Sequence, residues 1–476
     1  MLSGRDTSLN SPATGVHEVL MSEPLTFFEQ CPTCPEIAAR FPDLHPPFDQ
    51  TAAVVEANRC LYCFDAPCTT ACPTHIDVPR FIKRIATDNL EGSAKTILDA
   101  NILGESCARA CPVNVLCEGA CVLHRYNKQP IAIGRLQRFA MESVAYSDAP
   151  LLFVPAPDTG RSVALIGAGP ASLACAAELR RHGIRATIYD SRTLPGGLNT
   201  YGVAEYKLTL SASLREVDRV SHLGVEFHMD TTVDADMLDR LEAAHDAIFL
   251  GVGLGAIRRL GLDREDDMGG VTNALTLIAD YKRGAITEID GRVVVVGAGN
   301  TAIDAANASV RLGAQEVTMV HRRGPAEMSA FDFEYEHAKV EGVHFLWNVQ
   351  PIGLKGNGKV EALRLERLES RVDGSLIPVP NSAFDLSAEQ VVLAIGQSTH
   401  TELLGGNETM PGKVELERGR ILIDRATGQT SNPKYFAGGD CTNGGREVVD
   451  AVADGKRAGT AMAAWIFGSR VGAQNA

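Results

Sequence analysis

Val163-Ala-Leu-Ile-Gly-Ala-Gly-Pro-Ala-Ser172 and Val293-Val-Val-Val-Gly-Ala-Gly-Asn-Thr-Ala302 decide the fold of this chain. Each is an apolar run that meets a Gly-x-Gly turn and continues into a helical pattern. The glycines permit the tight turn and let backbone come close to a pyrophosphate, which sits at the positive N-terminus of the helix. Residues 163–166 read as a strand, 170–182 as a helix and 186–189 as a second strand. Residues 292–296, 301–312 and 316–320 repeat that order. The fingerprints begin at Gly167 and Gly297, 130 residues apart, so two Rossmann-like dinucleotide-binding domains are expected in an α/β chain. A short stretch from about residue 400, with a strand near 434–437 and a helix over 447–466, is too small to stand alone. It is expected to return and complete the first of them.

The two units differ where the second strand ends. Asp190 stands 23 residues after Gly167, where a carboxylate accepts hydrogen bonds from ribose hydroxyls. The second unit instead has His321-Arg322-Arg323, starting 24 residues after Gly297. Two guanidinium groups suit a 2′-phosphate that a carboxylate would repel. The first site therefore favours a dinucleotide with free ribose hydroxyls and the second favours NADPH, with NADH possible; a solvated strand end is the plain alternative for the arginines. Backbone contacts are expected from Gly167, Gly169, Pro170 and Ala171, and from Gly297, Gly299, Asn300 and Thr301. Ser172 and Ala302 replace the third glycine of the usual pattern but are small enough for close packing. Ala394, Ile395 and Gly396 follow a strand in the manner of a loop that returns beside a nicotinamide.

Upstream lie eight of the twelve cysteines: Cys60-x2-Cys63-x4-Cys68-x3-Cys72-Pro73, then Cys107-x3-Cys111-Pro112 and Cys117-x3-Cys121. Iron–sulfur clusters need four soft thiolates converging on one core, and the fourth cysteine of such a run often serves the neighbouring cluster. On spacing alone Cys60, Cys63 and Cys68 share one cluster and Cys72 crosses to the other. Zinc sites or disulfides are the alternatives. Zinc takes one tight set of four ligands, commonly two C-x2-C pairs, and fits two sets of four less well. Cys31-x2-Cys34 lacks nearby partners and reads as structural or incidental. Cys175 reads as core, and no redox role is assigned to Cys441.

Length and composition frame these motifs. At 476 residues the chain exceeds one hydrophobic core, and 45% hydrophobic with 22% charged residues is ordinary for globular proteins. A net charge of −14 argues against nucleic acid as a partner. No apolar run approaches the roughly 20 residues that span a bilayer, and the N-terminal stretch lacks a secretory core, so a cytoplasmic location is expected. Residues 1–50 read as mostly irregular. Residues 50–150 read as helices (78–89, 92–100, 133–145) broken by Cys-Pro turns, and 153–160 as a linker. The expected domains are an α-helical iron–sulfur domain (1–155), an FAD-binding domain in two parts (156–286 and 399–476), and an NAD(P)H-binding domain (287–398).

Pro195-Gly-Gly-Leu198 resembles the glycine pair that flavoproteins place beside their cofactor. Tyr435-Phe-Ala-Gly-Gly-Asp440 resembles the second flavin signature of the disulfide-reductase-like flavoproteins. The resemblance implies FAD contacts at Gly439, Asp440 and the helix start Glu447, Val448 and Val449, whose dipole would stabilise negative charge on reduced flavin. Gly197, Leu198, Lys207 and Val233 complete the expected flavin set. Hydride transfer needs alignment and exclusion of water, not an acid–base residue, so no catalytic side chain is nominated; His75 and His321 read as structural or phosphate-adjacent.

Nearly the whole chain, from Cys31 to Ile466, resembles the N-terminal half of the dihydropyrimidine dehydrogenase family, found in bacteria as a separate electron-input subunit. The glutamate synthase small subunit has the same architecture. The pieces that carry it are Arg59-Cys-Leu-Tyr-Cys63, Asp65-Ala-Pro-Cys68, Ala71-Cys-Pro-Thr74, Leu103-Gly104 and Ile133-Gly-Arg-Leu-Gln137-Arg-Phe139. The resemblance implies two 4Fe-4S clusters, one held by Cys60, Cys63, Cys68 and Cys121, the other by Cys72, Cys111, Cys117 and Gln137. Cys107 is then displaced from the spacing-only set. Glutamate synthase small subunits tend to have Glu at the Gln137 position, and Asn-x-Phe-Pro where this chain has Asn101-Ile-Leu-Gly104, so both positions favour the pyrimidine branch. The arginine pair matches NADPH-using members, although a third basic residue of some appears here as Ser329. The function implied is oxidation of NAD(P)H at FAD and passage of electrons through two clusters to an FMN-containing partner that reduces uracil or thymine. A glutamate synthase small subunit, or an electron carrier with another acceptor, are the alternatives.

Overall fold

The computed structural model describes residues 26–29, 35–145, 153–399, 402–404 and 412–468. Cys31 and Cys34 lie outside them. Strand Ser162–Ile166, helix Pro170–Arg181 and strand Arg185–Tyr189 form where the first fingerprint places them. The strands pair in parallel from Ser162↔Arg185 to Ile166↔Tyr189. Their apolar side chains are buried on both faces, as a parallel sheet covered by helices requires. Two further parallel strands, Ala247–Leu250 and Glu226–His228, extend the sheet on either side. Tyr435–Ala437 then pairs beside Ala247–Leu250 as the outer strand, so the C-terminal section does complete this domain.

Helix Val448–Ile466 follows and lies against helix Pro170–Arg181. Gly455 makes that approach possible, because a Cβ there would stand 2.0 Å from the Ala171 carbonyl oxygen.

The second sheet is also parallel. Its strand order is Val271–Asn273, Gln390–Leu393, Arg292–Val296, Glu316–His321, His344–Trp347. The four consecutive valines 293–296 form its centre and are buried. Val271–Asn273 and the helix Ala274–Lys282 precede the expected boundary at 287, so this domain begins earlier than sequence spacing implied. The strand joins a sheet whose other members lie downstream, a pairing that local patterning does not reveal. An antiparallel sheet of Val349–Lys355, Ala362–Ser370, Leu376–Pro378 and Phe384–Ser387 is inserted before the domain closes. Two short strands, Ala256–Ile257 and Gln397–Ser398, pair where the chain passes from one nucleotide domain to the other and back.

Residues 50–143 form helices Gln50–Ala57, Val78–Ala86, Leu90–Ala100, Gly104–Ala110 and Ile133–Ser143. Asp49, Asp77 and Asn89 cap three of them by accepting backbone N–H bonds. Phe81, Ile82, Ile85, Ile97, Leu136 and Met141 fill their core. This domain is tied to the first nucleotide domain. Glu216 on helix Leu210–Ser221 accepts the Glu105 and Ser106 N–H groups at 2.7 and 3.0 Å, and Lys456 donates to the Asp99 carbonyl at 2.8 Å. The expectation of an irregular segment before residue 50 holds only in part. Pro35–Arg40 is helical, and Phe41 is buried with its ring stacked 4.6 Å from that of Tyr281. Among the described residues no helix is long and apolar enough to cross a membrane.

Candidate functional site

The first fingerprint turn, the Asn300–Thr301 helix start after the second, the flavin-signature loops and the edge of the cysteine domain open onto one cavity of about 1400 Å³. At its floor Gly167 has φ +95°, and a Cβ there would lie 2.5 Å from the Gly251 carbonyl oxygen. Only glycine fits this turn. Gly169, at the cap of helix Pro170–Arg181, is different. A Cβ there would meet nothing closer than Gly197 Cα at 4.0 Å, so a clear space stands before the helix N-terminus, as a pyrophosphate needs. Ser172 is fully buried one turn on, and a Cβ at Gly251 would stand 2.1 Å from its Oγ. Helix and strand are therefore as close here as the usual third glycine would allow.

Asp190 lines the cavity at the end of its strand, with its carboxylate anchored by the Ala168 N–H at 2.7 Å and the Arg192 N–H at 2.8 Å. Fixed in that way, it fits a ribose at the first site. Gly197, Leu198, Val233, Gly439, Asp440, Glu447 and Val448 also line the wall. Asp440 accepts the Arg446 N–H at 3.1 Å. Burial raises the Asp440 carboxyl above its ordinary range, with Asp454 and Asp450 adding to it. At the N-cap of helix Val448–Ile466, burial and then Asp450 push the Glu447 carboxyl up to about 7. Val449 stands at the same helix start, with its side chain packed into the core of the cysteine domain.

Lys207 also lines the cavity, but its ammonium is engaged with protein carboxylates. It pairs with Asp304 at 2.7 Å and Glu334 at 2.6 Å, both on helices of the second nucleotide domain (Asn300–Arg311 and Asp332–Glu341). Burial opposes the charge on Lys207, and the two carboxylates outweigh it, so its pKa is raised. Tyr206 donates to Asp304 at 2.8 Å. On the same interface Lys282 donates to the Val203 and Leu208 carbonyls, each at 2.8 Å. These groups lock one nucleotide domain to the other, and sequence reading found only Lys207. Asp304 and Glu334 are 97 and 127 residues away in the chain, and nothing in the fingerprint that opens the Asp304 helix points to Lys207.

In the second unit Asn300, Thr301 and Gly396 reach the cavity, whereas Gly297, Gly299, Ala394, Ile395, Arg322 and Arg323 lie outside its wall. Gly297 and Ala394 form the tight crossing behind the turn: a Cβ on Gly297 would stand 2.3 Å from the Ala394 oxygen. Arg322 is exposed at the end of strand Glu316–His321, and Arg323 is paired with Glu327 at 3.0 Å. The strand end is solvent-facing. His321 packs edge-on to Trp347, and His75 is exposed, with Nδ1 3.4 Å from the Thr69 oxygen.

The cysteines fall into two neighbourhoods. Burial raises the Cys60 and Cys68 thiols, Cys68 to about 11, and the charges that add to it are Cys63 and Cys121 for one, Cys60 and Cys121 for the other. Cys111 is raised by a hydrogen bond with Cys107 and by burial, with Cys117 and Cys72 also acting on it. These contacts separate Cys60, Cys63, Cys68 and Cys121 from Cys72, Cys111 and Cys117 only in part, since Cys68 also acts on Cys117, and the thiol-rich, half-buried setting is of the kind an iron–sulfur core needs. Two candidates stand beside the second group. Cys107 contacts Cys111 and accepts a bond from the buried Asn101 amide at 3.2 Å. Gln137 is buried and donates through Nε2 to the Gly104 oxygen at 2.7 Å, so its own carbonyl oxygen is not used in that bond. Turns at Tyr62 and His75, both at left-handed φ (+50° and +54°), fold the chain around the cysteines.

Residues 161–455 match the family described as pyridine nucleotide-disulphide oxidoreductase, and residues 37–149 the one described as dihydropyrimidine dehydrogenase domain II, 4Fe-4S cluster. The glutamate synthase [NADPH] small chain of Escherichia coli K12 is 35% identical over 449 residues, covering 90% of this chain and 94% of the relative. The NAD-dependent dihydropyrimidine dehydrogenase subunit PreT of the same organism is 32% identical over 428 residues, covering 90% and 97%. In fold, the chain is similar to thioredoxin reductase of Lactococcus lactis, with a TM-score of 0.53 at 20% identity, over 65% of this chain and 99% of that one.

Proposed function

The chain belongs to the pyridine nucleotide-disulphide oxidoreductase family, and on that premise we propose that it feeds electrons from NADPH to a pyrimidine-reducing partner. It is an NAD(P)H-dependent oxidoreductase of the FAD and 4Fe-4S kind, an electron-transfer subunit built to work with another protein. One observation carries the reading: a single cavity runs from the first nucleotide site past the Asn300–Thr301 helix start of the second to Cys111 of the second cysteine group. When bound, FAD accepts a hydride from nicotinamide and releases electrons singly to iron–sulfur centres.

The residues serve that chemistry by position. The helix start at Gly169–Ala171 receives a pyrophosphate, Asp190 a ribose, and the helix start at Glu447–Val448 sets a positive dipole end toward the isoalloxazine. Lys207, Asp304 and Glu334 fix the angle between the two nucleotide domains, and hence the approach of nicotinamide to flavin. Arg322 and Arg323 take the 2′-phosphate of NADPH. Cys60, Cys63, Cys68 and Cys121 hold one cluster, and Cys72, Cys111, Cys117 and Gln137 the other.

The partner carries FMN and reduces uracil or thymine at the 5,6 bond in the cytoplasm; Gln137 and Asn101-Ile-Leu-Gly104 support that branch. Delivery to a glutamate synthase large subunit is the second reading, favoured by the 35% identity to such a small chain. Co-purification with each partner decides between them. Uracil-dependent NADPH oxidation is expected. Oxidation that requires glutamine and 2-oxoglutarate and ignores uracil overturns the pyrimidine assignment.

A further inference from the structure

The two cysteine groups are not equivalent. Cys111, with its neighbours Pro112, Val113 and Gly134, lines the cavity, whereas none of Cys60, Cys63, Cys68 and Cys121 does. Electrons leaving the cavity through this domain therefore meet the Cys111 group first and the Cys60 group last. Around that last group the surface is unusual. Leu61 and Phe64 flank Cys63 and are 54% and 101% exposed, and Tyr126, five residues past Cys121, is 64% exposed. The two segments are held side by side, since the Arg59 guanidinium donates to the Gln129 oxygen at 2.7 Å and the Pro130 oxygen at 3.4 Å. Three large apolar side chains are thus exposed on two segments that the Arg59 contacts tie together, and exposed patches of this kind mark interaction sites.

Charge narrows the occupant. His124, Arg125 and Lys128 surround Tyr126 in one exposed run, on a chain whose net charge is −14. Arg59 is already paired with Glu56 at 2.6 Å, and Asp65 is the opposing carboxylate next to Phe64. A basic rim on an acidic protein steers an acidic partner to this face and repels it elsewhere.

We infer that the face formed by Leu61, Phe64, Tyr126, Arg125 and Lys128 is where the electron acceptor docks, and that this acceptor is a redox protein whose own centre is ringed by carboxylates. The inference rests on the electron-relay reading above. The probe is oxidised flavodoxin, an acidic FMN protein, offered with NADPH to the reconstituted full-length chain; ferricyanide, a small acceptor that needs no docking face, is the control. Arg125→Glu/Lys128→Glu is expected to lower kcat/KM for flavodoxin about tenfold or more at low salt, with a smaller effect at high salt and no change in cluster content. Phe64→Ser is expected to weaken flavodoxin reduction at both salt levels. The charge-reversed variant is expected to reduce basic cytochrome c faster than the wild type.

Equal flavodoxin kinetics in wild type and both variants, with ferricyanide reduction intact, overturns the docking face. Ferricyanide reduction without any flavodoxin reduction overturns the acidic partner. A wild-type dimer in sedimentation that Phe64→Ser converts to monomer gives the face to a second copy and overturns the proposal. Failure of the wild type to reduce either acceptor refutes the relay itself.

Discussion

Replacing Lys207 by methionine tests whether the ammonium at the domain junction is a structural lock. Its side chain is 10% exposed, and those of its partners Asp304 and Glu334 are 8% and 7% exposed. Lys207→Met leaves both carboxylates buried and facing each other, with Glu334 Oε2 already without a hydrogen-bond partner. Removing one member of a buried ion pair costs about 3–5 kcal/mol, chiefly because the remaining charge stays desolvated. The Glu334 carboxyl is already raised by burial, with Asp304 raising it and Lys207 lowering it. Without Lys207 it rises further, so proton uptake relieves the variant at low pH. The loss in stability is therefore smallest in acid and grows as pH rises. Urea unfolding of the apoprotein at pH 5.5 and pH 8, followed by tryptophan fluorescence, reads this directly, and Lys207→Met/Glu334→Gln should recover much of the loss at pH 8. A loss below about 1 kcal/mol, the ordinary value of an exposed pair, or one that does not change with pH, refutes the lock. It would leave Lys207 as a cofactor contact alone.

Gly455→Ala forces a methyl group into the Ala171 carbonyl. Overpacking of this kind costs about 1–3 kcal/mol, and because Ala171 sits in the first turn at the pyrophosphate site, FAD retention on gel filtration should fall as well. In the flavin-free protein Glu447 carries a folded pKa of about 7, above its unfolded value. Its burial as a carboxylate therefore removes stability as pH rises from 5 to 8, and Glu447→Gln should flatten the melting temperature over that window. Arg322→Ala is expected to raise KM for NADPH severalfold while KM for NADH stays unchanged; equal shifts would mean that no 2′-phosphate is read there. Cys107→Ala should retain both clusters by iron count and EPR, and loss of one would make Cys107, not Gln137, the ligand.

Short-range chemistry was the legible part of this chain. Asp190, the Gly167 turn and the Cys60 and Cys111 runs each announce themselves within about two dozen residues, because a turn, a strand end or a thiolate set has to be specified locally. The strand Tyr435–Ala437 was legible as a fragment needing a sheet. The strand Val271–Asn273 was not, being only three residues long and completing a sheet whose other strands come later. The Lys207 lock was invisible for the same reason: an ion pair across 97 or 127 residues leaves no periodicity behind.

The first sheet is closed by an edge strand made of residues 435–437. During synthesis, everything from the cysteine turns to the antiparallel insert emerges while the flavin cradle still lacks one wall. Contacts over such separations form slowly. Cofactor loading is therefore set by the emergence of residues 435–437 and the helix behind them, and a nascent chain stalled before that point is a holder of thiols with no source of electrons.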